Sequence, residues 1–131
     1  MLTVRRTVRT VLAVWTGLAA VKNLCDLGAA FGLAPAARRF GSKNFAAIEK
    51  MLAPLGVPRE AAGGLLAGAA LTEALIALAY ARGRVETATA LAVLLFGSFA
   101  LLDEALVDYE LDATHREILV FVLTGYLAIR D

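Results

Sequence analysis

The sequence predicts an all-α protein: a four-transmembrane-helix bundle with a short interfacial helix between spans one and two. Three observations carry that prediction. Apolar residues make up 60% of the 131-residue chain before its 11 glycines are counted, whereas soluble domains reach about 45–50% with glycine included. Charged residues are 19% of the total and mean hydropathy is +0.71, so the chain lacks the polar residues that would coat water-facing helices. The apolar residues also gather into four runs, each near the ~20 residues that cross a hydrocarbon layer. Residues 1–131 therefore read as a single integral membrane domain.

The first span covers about 8–28 and contains VLAVWTGLAAVKNLCDLG. Arg5, Arg6 and Arg9 precede its VLAVWTGLAA, as basic residues precede the apolar core of a secretory signal. Continuation through Lys22 into further apolar residues favours a retained span over a cleaved one. The second span, AAGGLLAGAALTEALIALAYA, covers 61–81, and the third covers 87–107 with TALAVLLFGSFALL inside it. The fourth lies at 114–130, with an apolar core from Ile118 to Ile129 and His115 to Glu117 near the interface.

The connections differ in character. Between spans one and two, Ser42 is placed to cap a helix over 42–53. There Phe45, Ile48, Met51 and Leu52 recur at helical spacing, opposite Lys43, Glu49 and Lys50. Pro54 and Pro58 bound it, and its pattern suits a helix lying flat on the membrane. ARGR makes a tight turn between spans two and three. The third connection, DEALVDYELDATHRE, is acidic.

Thirteen basic and twelve acidic residues leave a net charge of +1, which implies no attraction to nucleic acid. The lone Cys25 reads as a packing residue and cannot form an internal disulfide. The lone His115 cannot build a multi-histidine metal or haem site. Basic residues divide almost evenly between the two sides. Arg5, Arg6 and Arg9 flank the first helix, which the positive-inside rule weights most. That places the N-terminus inside, in a prokaryotic-type inner membrane.

Polar residues within the spans are the candidate site. A charge at the bilayer centre costs roughly 2.5–3.5 kcal/mol on insertion scales, so such groups face the interior and seek partners. In GLAAVKNLCDLG (Gly17 to Gly28), Lys22 and Asp26 are four apart and neighbours on one helical face. At about 1.5 Å per residue, Lys22 lies roughly 6 Å past the membrane midpoint. Asp103 and Glu104 of span three come to a similar depth, and Glu73 of span two lies close to the middle. Lys22, Asp26, Glu73 and Asp103 therefore form the candidate ligand-binding or intramembrane polar cluster. Glu73 has no basic residue within a helical turn; its face carries Ala69, Ala70, Ala77 and Tyr80. Gly64 and Gly68 form a GxxxG packing pattern, extended by Thr72, suited to another helix in the bundle or in a second subunit. Trp15, Tyr80, Tyr109 and Tyr126 suit interfacial or packing roles. No phosphate-binding glycine loop, CxxC, HExxH or GxSxG element occurs, so no catalytic residue and no metal ligand is assigned.

The segments GLAAVKNL (Gly17 to Leu24), GVP (Gly56 to Pro58) and LTEALIALAYARGR (Leu71 to Arg84) resemble the DoxX-like family of small four-helix membrane proteins. In that family a G-x-x-x-K-like element ends the first helix, and a glycine-proline turn leads to a glutamate-bearing second helix. The chain departs from the pattern at Ile76 and Ala77, where glycine is common, and in a longer Arg38 to Lys50 insertion. The resemblance singles out Lys22 and Glu73 and implies no uniform chemistry; some relatives serve quinone-linked sulfur oxidation or redox-enzyme maturation.

Three functions fit these features. The first is a non-catalytic accessory, assembly or anchoring subunit, with the lipid bilayer and a membrane protein or second copy as partners and no cofactor. The second is a quinone- or lipophile-binding redox subunit using Lys22 and Glu73. The third is a small oligomeric transporter or channel with Glu73 as a cation or proton site.

Overall fold

The computed structural model describes residues 2–106 and 112–130, with the backbone alone described at 103, 104, 106 and 112–114. Among the described residues every regular element is helical: α1 (Leu2–Ala30), α2 (Asn44–Leu52), α3 (Arg59–Ala81), α4 (Val85–Leu106) and α5 (Asp112–Ile129). Tight 3-10 turns at Pro35–Phe40 and Ala53–Leu55 flank α2. Among the described residues three helical stretches are long and apolar enough to cross a membrane: Leu2–Ala30, Arg59–Ala81 and Val85–Leu102.

The first of these begins several residues ahead of the sequence expectation. Arginine is a good helix former, so Arg5 and Arg6 extend the helix ahead of the expected start. The fourth expected span, 114–130, corresponds to α5. Asp112, Arg116 and Glu117 fall in its first two turns. The apolar remainder from Ile118 to Ile129 rises roughly 18 Å, short of a hydrocarbon layer about 30 Å thick. Among the described residues α5 is not one of the three stretches long and apolar enough to cross.

The chain forms two compact units, Met1–Gly17 with Ala74–Asp131, and Leu18–Glu73. Their boundaries fall inside α1 and α3. In the first unit, α1, α3, α4 and α5 share one core. Leu12, Ile76, Tyr80, Phe96 and Val122 are among its buried members. Ala88 and Ala92 are fully buried on α4, where small side chains let backbones approach. Gly125 admits Leu12 so closely that a Cβ there would lie 3.0 Å from a leucine methyl.

Aromatic residues complete that core. Trp15 meets Phe121 edge-on at 5.3 Å and lies 6.0 Å from Phe96, within the range favoured by ring quadrupoles. Tyr80 is wholly buried, and its hydroxyl lies 3.0 Å from Thr89 Oγ1. This bond gives each buried hydroxyl a polar partner, one donating and the other accepting. Both Trp15 and Tyr80 thus serve packing.

The ARGR turn closes α3 with a Schellman motif. Arg84 N–H donates to Ala79 carbonyl at 2.8 Å and Gly83 N–H to Tyr80 carbonyl at 3.0 Å. Gly83 has φ +77°, a left-handed conformation that glycine adopts without Cβ strain.

In the second unit, the C-terminal half of α1, α2 and the N-terminal part of α3 pack together. Phe45, Ile48 and Leu52 are the buried stripe of α2, with Met51 half-buried. The stripe is covered by the chain's own residues, so these side chains are packed in protein. Phe45 tilts against Phe31 at 5.3 Å. Gly63 makes room for Phe31: a Cβ on Gly63 would lie 2.8 Å from two of its ring carbons.

Candidate functional site

The polar residues of GLAAVKNLCDLG resolve into an inner and an outer set. Asn23 and Asp26 are three apart, hence on one face of α1. Lys22 precedes Asn23 by about 100° of helical rotation and is exposed. Asn23 is 3% exposed and Asp26 half-buried.

Asn23 links what comes from three parts of the sequence. Its Nδ2 donates to Glu73 Oε2 at 2.8 Å. Its Oδ1 accepts from Ser42 Oγ at 2.6 Å and from Asn44 Nδ2 at 2.8 Å. An amide offers donors and an acceptor at once, which suits it to join a carboxylate on α3 to a hydroxyl and an amide ahead of α2. In an apolar setting each of these groups would be costly alone; linked, they satisfy one another.

Asp26 does a different task. Its Oδ2 accepts the backbone N–H of Phe45 at 2.8 Å and lies 3.4 Å from Ser42 Oγ. The residue at the N-cap of α2 is Lys43, one beyond Ser42, in a left-handed conformation at φ 65° and without a side-chain cap bond. Ser42 Oγ instead accepts Asn44 N–H at 3.2 Å. The first amides of α2 are thus capped by Ser42 and, from α1, by Asp26.

Backbone contacts hold the same segment. Ser42 N–H donates to the Lys22 carbonyl at 3.2 Å. Gly41 runs so close to α1 that a Cβ would lie 3.2 Å from both Asp26 Cα and Asp26 Oδ1. A second clasp lies at Arg59. Its Nη1 bonds both carboxylate oxygens of Glu49, at 3.0 and 3.2 Å, and its Nη2 bonds the Ala30 carbonyl at 2.9 Å. The guanidinium also covers Phe45 at 4.9 Å and Phe31 at 5.4 Å. One side chain thus ties the end of α1, the middle of α2 and the start of α3.

Of the four predicted cluster members, Asp26 and Glu73 are brought into one network through Ser42 and Asn23. Lys22 contributes its backbone carbonyl, not its ammonium group, to that network. Asp103 belongs to α4 by its backbone, and its side chain lies outside the described residues, as does Glu104's. Tyr109 also lies outside them. Glu73 is 5% exposed and lies on a buried face of α3 with Ala69 and Ala70. Gly64 and Gly68 are exposed, and a Cβ at either would meet nothing within 4 Å.

Sequence reasoning leaves Asn23 out of the polar cluster, and passes over Ser42 as its partner and over Arg59. A ranking by charge cost overlooks a neutral amide. The i, i+3 spacing of Asn23 and Asp26 was the available signal. Among the described residues no group of three His, Cys, Asp or Glu side chains is placed to hold a metal ion. Comparisons with protein-family models, curated proteins and solved structures find no match.

Proposed function

We propose that this chain is a multi-pass, non-catalytic membrane protein, an accessory, assembly or anchoring subunit that joins another membrane helix through the outer face of α3. The contrast among neighbouring glycines carries this reading. Gly63 is filled by Phe31, whereas Gly64 and Gly68 are exposed, with no described neighbour within 4 Å of a Cβ built there. Leu71 beyond them is exposed too. Glycines four apart let a second helix approach to backbone contact. The inward polar network supports the same reading, because its groups are engaged in fixing α2 rather than aligned for chemistry.

In this reading α5 is the short fourth span, α2 lies at the interface, and the N-terminus is inside, giving a chain of DoxX-like type. Purification in mild detergent tests it: the protein runs as an assembly larger than one chain. Gly64→Leu with Gly68→Leu releases the single chain while helicity is kept. A single-chain species from the outset removes the proposal.

A second reading has its own support at Glu73. Asn23 donates to Oε2, and no described side chain donates to Oε1. A quinol hydroxyl would complete that carboxylate, making the chain a lipophile-binding subunit. Quinone binding by purified protein that is unchanged in Glu73→Gln and Lys22→Met would remove this alternative.

A further inference from the structure

A cavity of about 800 Å³ opens in the first unit, where α1 begins, α3 turns into α4 and α5 ends. Arg5, Arg6 and Arg9 line it from α1, Arg84 from the turn, and Arg130 beyond α5. Among the described lining residues Glu86 is the lone carboxylate, and Tyr126 adds a hydroxyl. Arginines thus outnumber carboxylates among the described lining residues, and Arg6, Arg9, Arg84 and Arg130 do so without Arg5.

The arrangement is built by the fold. Arg5 and Arg9 are half-buried and four apart, so one helical face presents both. Arg9 lies against the glycine of the α3–α4 turn; a Cβ on Gly83 would come 2.9 Å from its Nη1. The bare glycine leaves space for that guanidinium. Val85, Glu86 and Thr87 also line the cavity. As the first residues of the 22-residue α4, they carry amides that lack intrahelical acceptors and form the positive end of its dipole.

Like charges held together in one concavity favour an anionic occupant, and guanidinium forks match the oxygens of phosphate in pairs. The volume falls within the ~300–1,000 Å³ typical of small-ligand sites. Basic pockets at the ends of membrane helices bind phosphate-bearing headgroups. We infer that this cavity is a binding site for a phosphate-bearing anion, supplied either by an anionic phospholipid headgroup or by a free phosphate compound. No part of the Asn23 network takes part in it.

The test uses the full chain in neutral detergent, with native mass spectrometry as the readout. Phosphatidylglycerol, phosphatidylcholine and inorganic pyrophosphate are the probes. Retention of phosphatidylglycerol over phosphatidylcholine supports the site with lipid as the source; retention of pyrophosphate supports it with a free phosphate as the source. In either case Arg9→Gln with Arg84→Gln weakens retention by roughly tenfold or more, while Arg38→Gln with Arg39→Gln, outside the cavity, leaves it unchanged. Failure of both anions to bind overturns the inference, as does equal loss in the two double variants or none in the first. If the Arg9 and Arg84 variant does not fold, Glu86→Gln decides. Removing that carboxylate tightens retention several-fold, and unchanged or weaker retention overturns the site.

Discussion

Asn23 Nδ2 donates to Glu73 Oε2 at 2.8 Å, across 50 positions of sequence. Both side chains are buried, and the amide's oxygen is already engaged by Ser42 and Asn44. Polar residues in two apolar helices thus act as internal fasteners for the segment that leads into α2. In lipid, polar groups must find partners within the protein; here that need fixes the position of a connecting segment.

Asp26 caps α2 from another helix, so its removal should loosen α2 at its start. Asp26→Ala is expected to cost about 1–2 kcal/mol, the usual range for a lost N-cap. Asp26→Asn keeps an oxygen for Phe45 N–H and should lose less than half as much. Unfolding in mixed micelles measures the difference. Hydrogen exchange at the Phe45 amide should quicken in the alanine variant and hold nearly steady in the asparagine one.

Two glycines should respond in opposite directions to the same substitution. At Gly41 a methyl group would press on Asp26 Cα at 3.2 Å, and the backbone of α1 has little freedom to yield. Gly41→Ala is expected to cost about 1–3 kcal/mol. At Gly64 a methyl group meets nothing within 4 Å, and alanine is favoured over glycine within a helix by roughly 0.5–1 kcal/mol. Gly64→Ala should therefore stabilise the isolated chain. Thermal unfolding of the two variants side by side checks both signs.

Arg59 should resist replacement by lysine for reasons of shape. The Arg59–Glu49 pair is 46% and 39% exposed, so its Coulombic share is small and screened by salt. The guanidinium's bond to the Ala30 carbonyl and its cover over Phe31 and Phe45 demand a planar fork. Arg59→Lys is expected to lose about 0.5–1 kcal/mol, a deficit that persists in high salt. A deficit abolished by raising sodium chloride would assign the effect to the ion pair instead.

How far this was legible in the sequence follows from the kind of signal each feature leaves. Long apolar runs announce α1, α3 and α4, because the length needed to cross lipid is written directly in composition. The stripe Phe45, Ile48 and Leu52 announces α2, but periodicity is silent on whether protein or lipid covers it; here the chain's own residues do. Glu73 stands out as a charge in oil, yet its partner is a neutral amide far away in sequence. Asn23 carries no charge to flag it, and Lys22 and Asp26 at i, i+4 suggest a pairing that the helix leaves unmade. Asp26 bonds Phe45 N–H, and Lys22 is exposed. Arg59 resembles any loop cation until Glu49, Ala30 and two rings are seen around it.

The coupling between Asn23 and Glu73 is the most direct measure of this account. Unfolding free energies in mixed micelles for Asn23→Ala, Glu73→Ala and the double variant close a thermodynamic cycle. If the two side chains act as one fastener, the double variant loses less than the sum of the single losses, by at least about 0.5 kcal/mol. Strictly additive losses would contradict it.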